Sequence, residues 1–488
     1  MLTGWRLQIS KFFIIPQRYI MAIMGFLAIV NAYTMRVSLS IAITEMVVPS
    51  SSNQTYEDDS CPADPSGSPA AVTNTDKLYD WDEQTQGLIL GSFYWGYLIT
   101  HLPGGIIAEK FGGRYTLGLG ILSTAIFTIL TPIVITSTNG DWRVLVALRV
   151  IEGLGEGTTY PALNVLLAKW VPSSERARLG TLVYAGGQIG TIVSNLISGT
   201  LIHNTHDWAS VFYLFGGLGL VWVVLWHLLC YSSPETHPFI SDEEKEFLRK
   251  ELGSVSNEKL ATPWRAILTS VPLWALVAAQ IGHDWGFYTM VTDLPKYMKD
   301  VLKFDVQSNG LWNSIPYVVM WIVSMLFGWV CDWLITNKYL GVTMARKLFT
   351  GIASMGPAVF IMAASYSGCD KYLSVAMFTI GMGFMGTFYC GMKVNGLDLS
   401  PNFAGTIMAI SNGIGAITGI VSPSIVGHLT PQHTMTQWRT VFWISFAVFS
   451  VTSVIYTFFA SGEEQWWNNP KTHDKQNEAE SGKKEVTT

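Results

Sequence analysis

The chain has 488 residues, of which 13% are Asp, Glu, Lys or Arg, about half the charged fraction of an ordinary soluble protein, while 49% are hydrophobic. So little charge cannot solvate a water-soluble globule of this size, and a net charge of -5 offers no basic excess for nucleic acid. Five Cys cannot staple such a length, the 45 Gly follow no three-residue period, and apolar residues are too many for disorder.

In chain order, the basic segment 1–18, with Arg6, Lys11 and Arg18, precedes the first of twelve windows of mostly apolar residues. The windows run over 19–43, 85–108, 115–136, 143–167, 179–201, 209–231, 271–295, 309–331, 348–366, 372–395, 403–427 and 440–460. Each is long enough to cross about 30 Å of hydrocarbon. The first has a signal peptide's basic flank, but its apolar stretch is too long and lacks a small-residue cleavage site, so it is expected to stay as a helix. Loop 44–84 is rich in Ser, Pro and Asp and holds Asn53-Gln54-Thr55, a glycosylation acceptor usable only from a lumenal or extracellular side. The polar stretch 232–270 separates six spans (19–231) from six more (271–460); in it, Ser241 followed by Glu244 predicts a capping box opening an amphipathic helix. Segment 461–488 is charged and expected to be a disordered, solvated tail.

With both termini cytosolic, 20 of the 30 Lys and Arg face the cytosol, seven face the other side (with Arg143, at the edge of the fourth window, among them), and three (Arg36, Arg149, Lys393) fall within spans. The positive-inside rule selects this orientation. Cys61 and Cys369 then share the oxidising side, where a disulfide is chemically possible. Sequence gives no distance between them, and free or buried thiols are the expectation.

Charges near the bilayer midplane cost about 2.5–3.5 kcal/mol each on insertion scales, so they line a pathway or pair with one another. Arg36 lies deep in the first span. Arg149, Glu152 and Glu156 follow at spacings of three and four in the fourth, which puts them along one helical face. Arginine offers a planar cation to a carboxylate or phosphate, and a glutamate in a low dielectric can take and release a proton. The competing reading is a static salt-bridge cluster that joins helices, and for Glu152 the two readings weigh equally. His283 and Asp284 are adjacent in the seventh span, so only one of them can face a central pathway squarely; His283 is either a titrating group or a packed core histidine. Tyr33, Tyr94, Tyr97, Trp285 and Tyr288 could shape a site or simply pack. Asn412 could reach substrate or bond between helices. Lys393 is expected to snorkel toward the cytosolic end of its span.

Six plus six spans around a cytosolic linker suggest a two-bundle transporter with its site between the halves. Gly105, Glu109, Lys110, Gly113 and Arg114 form a tight turn after the second span, and Gly328, Asp332, Arg346 and Lys347 form a looser copy after the eighth. With these, the segments NAYTMRVSLSIAI, WDEQTQGLILGSFYWGYLITHLPGG, RVIEGLGEGTTYPA, DWGFYTMVTDLPKYM and NGLDLSPNFAGTIMAISNGIG resemble the anion:cation symporter family of the major facilitators over about Ile20 to Trp467. Members of the sialin type and of the insect phosphate-cotransporter type are the most similar. The resemblance implies an all-α membrane protein of twelve helices in two six-helix bundles. It associates the positions of Arg36 and Arg149 with anion recognition and that of Glu156 with proton coupling. Leu90 stands where vesicular glutamate transporters carry His, and His283 where they carry Arg, which argues against glutamate; Glu152 is kept, as in sialin-like members.

The sequence has no HExxH, Cys-pair, P-loop or dinucleotide-binding pattern, so an enzyme is not expected. The expectation is a secondary active transporter moving an organic or inorganic anion by alternating access, proton-coupled and of the sialic-acid or acidic-sugar type. The alternative is a sodium-dependent inorganic phosphate cotransporter, with an anion channel ranked behind both. Arg36, Arg149, Tyr33, Tyr97, Tyr288 and Asn412 are the expected substrate contacts, and Glu156, Glu152 and His283 the coupling groups. No cofactor is expected beyond H⁺ or Na⁺, no metal, and no partner beyond a small anion and the bilayer. A monomer is expected, at the plasma membrane rather than in a lysosomal or vesicular one because no acidic dileucine signal flanks either end.

Overall fold

The computed structural model describes residues 15–48, 61, 78–172, 175–253 and 262–468. The glycosylation acceptor at Asn53 lies outside them. The first bundle comprises α1 (Gln17–Met46), α2 (Glu83–Phe111), α3 (Gly113–Ser137), α4 (Trp142–Glu156), α5 (Thr159–Trp170), α6 (Arg176–Tyr184), α7 (Gly186–Thr205) and α8 (Ala209–Leu229). The linker carries α9 (Asp242–Gly253) and α10 (Trp264–Leu268). The second bundle comprises α11 (Val271–Asp300), α12 (Val306–Thr336), α13 (Val342–Ala364), α14 (Lys371–Met385), α15 (Met392–Leu399), α16 (Ala404–Gly415), α17 (Thr418–Leu429) and α18 (Met435–Phe459).

Four of the expected spans are interrupted. The fourth breaks between α4 and α5, the fifth between α6 and α7, the tenth between α14 and α15, and the eleventh between α16 and α17. These are equivalent positions in the two halves. Among the described residues, eight segments are long and apolar enough to cross a membrane by length and composition. The other four expected spans are α2, α4–α5, α6–α7 and α11.

The bundles meet where α1 packs on α11, α2 on α17, and α7 on α12. Approach at the last contact requires glycine: a Cβ on Gly199 would sit 2.7 Å from the Val306 carbonyl oxygen, and one on Gly310 2.4 Å from that of Asn195. One end of the seam, here the disulfide face, is tied by polar contacts. Lys299 pairs with Glu45 at 2.9 Å, Gln84 Nε2 lies 2.6 Å from His428 Nδ1, and Lys296 bonds Glu83.

Three expectations change. Cys61 and Cys369 form a disulfide, with Cα atoms 5.3 Å apart, so they are not free thiols; loop closure brings together residues 308 positions apart, a proximity that spacing cannot reveal. The Ser241 hydroxyl accepts from the Glu244 N–H at 3.1 Å as a cap should, but the Glu244 carboxylate turns away from the expected reciprocal bond. It instead accepts from the Gln17 N–H at 2.8 Å and the Arg18 N–H at 3.1 Å, capping α1. Residues 461–468 of the expected tail pack on the bundle: Trp467 is buried, and the Asn468 side-chain oxygen accepts from the Ser400 hydroxyl at 2.6 Å and the Asn402 N–H at 3.0 Å. In the second copy of the turn motif, Arg346 pairs with Asp398 at 2.7 Å, while Asp332 is exposed.

Candidate functional site between the bundles

α2 and α4 can touch backbone to backbone because both supply glycine at the contact. A Cβ on Gly96 would lie 1.9 Å from the Val150 carbonyl oxygen, and one on Gly153 2.0 Å from that of Phe93. This brings the rings of α2 against the charged face of α4. Arg36 is ten residues before the end of α1, about 15 Å by helical rise, and therefore deep in the bundle.

There the four charges of the first bundle form two ion pairs. Arg36 Nη2 donates to Glu156 Oε1, and Arg149 Nη1 donates to Glu152 Oε2 at 2.6 Å. All four side chains are at most 6% exposed, so neither pair is a solvent-screened surface bridge. The pairs differ in their surroundings. Glu152 Oε1 also faces the hydroxyls of Thr131 at 3.3 Å and Thr128 at 3.5 Å, both from α3, whereas Glu156 Oε2 has no hydrogen-bond partner among the described residues. Arg149 is further bound to the Arg36 carbonyl at 3.3 Å. Both arginines leave Nε unpaired, and Arg149 lies 4.9 Å from the Phe93 ring, but Arg36 lies among four rings, Tyr33 at 4.6 Å, Phe93 at 4.8 Å, Tyr97 at 5.1 Å and Tyr94 at 5.8 Å. Each such cation–ring contact contributes about 0.5–2 kcal/mol according to its desolvation.

The second bundle faces this cluster. Tyr288 packs on Tyr94 across the seam, with ring centroids 4.6 Å apart. The His283 ring stacks on Phe388 with centroids 3.5 Å apart, and Asp284 accepts from Gln280 Nε2 at 2.8 Å. Lys393 does not snorkel outward. Its ammonium donates to Asn412 Oδ1 at 2.8 Å and stands 5.5 Å from the Phe388 ring, because the break between α14 and α15 turns it toward α16. Asn412 is thus engaged between helices.

The structure brings together Arg36, Arg149, Glu152, Glu156, Tyr33, Tyr94, Tyr97 and Tyr288. His283, Asp284 and Asn412 form a neighbouring group around Phe388 and Lys393. Trp285 belongs to neither, since its indole donates to the Ser445 hydroxyl at 3.0 Å and ties α11 to α18. Sequence reading missed Tyr160, whose hydroxyl donates to that of Tyr33 at 3.2 Å, and the rings of Phe93 and Phe388. Tyr160 follows the glycine-rich run that breaks the fourth span, which could have marked it. Among the described residues, one His and carboxylate group has metal-ligand proximity: Glu83, Asp300 and His433 on the disulfide face. The Lys296 ammonium bonds Glu83 there.

Interrupted helices at equivalent positions of two half-repeats are the usual mark of a transporter's midplane site. Residues 21–423 match the Major Facilitator Superfamily. The chain is 41% identical to sialin from Homo sapiens, over 92% of its own length and 90% of that protein's. It is 40% identical to a Drosophila melanogaster protein named "Putative inorganic phosphate cotransporter", over 94% and 87% of the two chains. A bacterial homologue of the human lysosomal transporter Spinster, solved in an inward-facing and occupied conformation, shares the fold with a TM-score of 0.66 at 13% identity, over 91% and 97% of the two chains.

Proposed function

Because the chain belongs to the major facilitator superfamily, we propose that it is a secondary active transporter that couples movement of a small organic anion to a proton by alternating access. The disulfide face is assigned to the lumenal or extracellular side and the linker face to the cytosol, in agreement with the distribution of Lys and Arg. The polar contacts between the bundles hold the disulfide face shut.

The observation that carries the reading is the Arg36–Glu156 pair with its unpartnered Oε2 and Nε atoms. The four central charges sum to zero. An anion that takes the Arg36 guanidinium displaces Glu156, and a displaced, buried carboxylate without a counter-charge is costly unless it is protonated. Anion entry and proton uptake therefore favour each other, which is symport in energetic terms. Tyr33, Tyr97, Tyr160 and Tyr288 supply hydroxyls and flat walls around the anion. Glu152, held by Arg149 and two threonines, keeps Arg149 in place. His283, stacked on Phe388, lines the second bundle's half.

Relatives named for sialic acid and for phosphate support an anionic substrate, and the packed rings around Arg36 favour the organic one. The test is uptake into proteoliposomes under separately imposed proton and sodium gradients, with sialic acid, glucuronate and phosphate offered in turn. Proton-driven accumulation of an acidic sugar is expected. Accumulation of phosphate driven by sodium alone would replace this reading with the phosphate cotransporter. Glu156→Gln should retain counterflow and lose pH-driven accumulation; retention of both would remove Glu156 as the coupling group. Surface biotinylation checks the expected plasma-membrane location.

A further inference from the structure

Away from the central site, four charged groups converge where the bundles meet on the disulfide face. Glu83, at the start of α2, is the first bundle's contribution and is only 5% exposed. Its Oε2 accepts from Lys296 of α11, and its Oε1 stands 3.6 Å from Nε2 of His433, in the turn between α17 and α18. The other ring nitrogen, Nδ1, stands 3.0 Å from Asp300 Oδ2 at the end of α11. One imidazole therefore lies between two carboxylates, with a different nitrogen facing each. A neutral imidazole must turn a lone pair toward one of those acids, whereas the imidazolium attracts both as a cation; the attraction is between charges, since Nδ1 makes no aligned hydrogen bond and Glu83 Oε1 itself accepts from Gln86 Nε2 at 2.7 Å. The backbone holds His433 there in the left-handed region, with φ of 56°, a conformation that the surrounding packing must maintain.

Other charges bear on this group. Asp293 of α11 is buried, with Oδ2 accepting from the Thr292 hydroxyl at 2.7 Å, and Lys299 pairs with Glu45 of α1 at 2.9 Å. His428 of α17 lies beside Gln84. For His433 itself, burial lowers the pKa, but Asp300 and Glu83 outweigh burial and the opposing Lys296, so the net shift is upward from 6.5.

We propose that His433 is a second proton-binding site, separate from the central carboxylate, and that its protonation latches the disulfide face shut by pinning Glu83 of the first bundle to the second. Lys296, Asp300 and His433 move with the second bundle, so opening this face takes Glu83 away from both cations at once. Removal of that carboxylate lowers the proton affinity of His433, and linkage then requires that the proton favour the closed face. The sign follows: the added stability of the closed face is fully present below the open-state pKa of His433 and is lost as pH rises through the higher closed-state value. The consequence for transport rests on alternating access, but the latch itself is measurable without substrate.

The experiment uses the full-length chain in nanodiscs, with spin labels on Thr136→Cys and Thr440→Cys, two exposed positions on opposite bundles. A Glu156→Gln background removes the central carboxylate from the titration. Between about pH 7.5 and about 5.5 the short-distance population should rise, its ratio to the long-distance one changing up to about tenfold for each pKa unit separating the two states. His433→Asn, which tolerates the left-handed backbone and takes no proton, should abolish the response; His433→Lys should favour the short distance at both pH values. A response that survives His433→Asn, or no response in the parent, overturns the latch. Failure of proton-driven uptake with an intact distance response would instead count against the transport reading alone.

Discussion

Arg149 donates through Nη2 to the backbone carbonyl of Arg36 at 3.3 Å, so one buried guanidinium supports the helix segment from which the other projects. Arg149 also holds Glu152 and touches one ring, Phe93, whereas Arg36 has four rings and one exchangeable carboxylate around it. The two arginines, equivalent candidates in the sequence, are therefore expected to separate in experiment.

Arg149→Ala should strand a buried Glu152 and destabilise the protein, by about 3–5 kcal/mol on the scale of broken buried pairs. Adding Glu152→Gln should restore much of the thermal midpoint and some uptake, measured at matched reconstitution. A double variant that regains its melting temperature but shows no transport would assign Arg149 to the substrate.

Arg36→Lys keeps the charge but loses the fork and the flat face that stacks among Tyr33, Phe93 and Tyr97. Initial uptake should fall by about tenfold or more, equivalent to ~1.4 kcal/mol. Unchanged uptake would mean that charge alone suffices and that the rings only pack.

The Cys61–Cys369 bond joins the long loop of the first bundle to the α13–α14 turn of the second. Non-reducing peptide mapping should recover the linked pair, and Cys61→Ser should lower the thermal midpoint, consistent with about 2–4 kcal/mol for a typical disulfide. Recovery of both thiols free from freshly purified protein would rule the bridge out.

His237, in the linker, is a neutral buried histidine: its Nδ1 accepts from the Phe239 N–H at 3.1 Å, which leaves the proton on Nε2, 3.3 Å from the Leu229 carbonyl. Burial pushes its pKa below the ordinary value. The unfolded chain therefore binds a proton at His237 before the folded one does, so its stabilising effect holds above about pH 6.5 and is lost below it. Thermal melts should drop more steeply on acidification for the wild type than for His237→Gln; parallel curves would show that another group sets the slope.

Asn53 should carry glycan when the protein is made in a eukaryotic cell, because loop 44–84 adjoins the side assigned to the lumen or exterior. Glycosidase should shift the wild type and leave Asn53→Gln unmoved. Identical, insensitive mobilities would show that the site is unused.

Span-like segments were legible from composition because hydrocarbon imposes length and apolarity on each helix separately. Arg36, Arg149, Glu152 and Glu156 stood out for the same reason: charge is expensive in that setting, and i, i+3 and i+4 spacing is a property of one helix. The family resemblance was likewise carried by local runs of residues.

What the sequence could not supply was every relation between helices distant along the chain. Pairing of Arg36 with Glu156 rather than with Glu152, the turning of Lys393 onto Asn412, capping of α1 by Glu244 and the Cys61–Cys369 bridge all depend on distances across the packed bundles. So does the meeting of Glu83, Lys296, Asp300 and His433. Helical periodicity orients a side chain about its own axis, but the partner it meets is chosen by how closely neighbouring backbones approach, and here that is decided by glycine contacts such as Gly153 on Phe93 and Gly199 on Val306. The sequence by itself determined which charges enter the membrane; the tertiary structure decided which of them hold one another and which keep an atom unpaired.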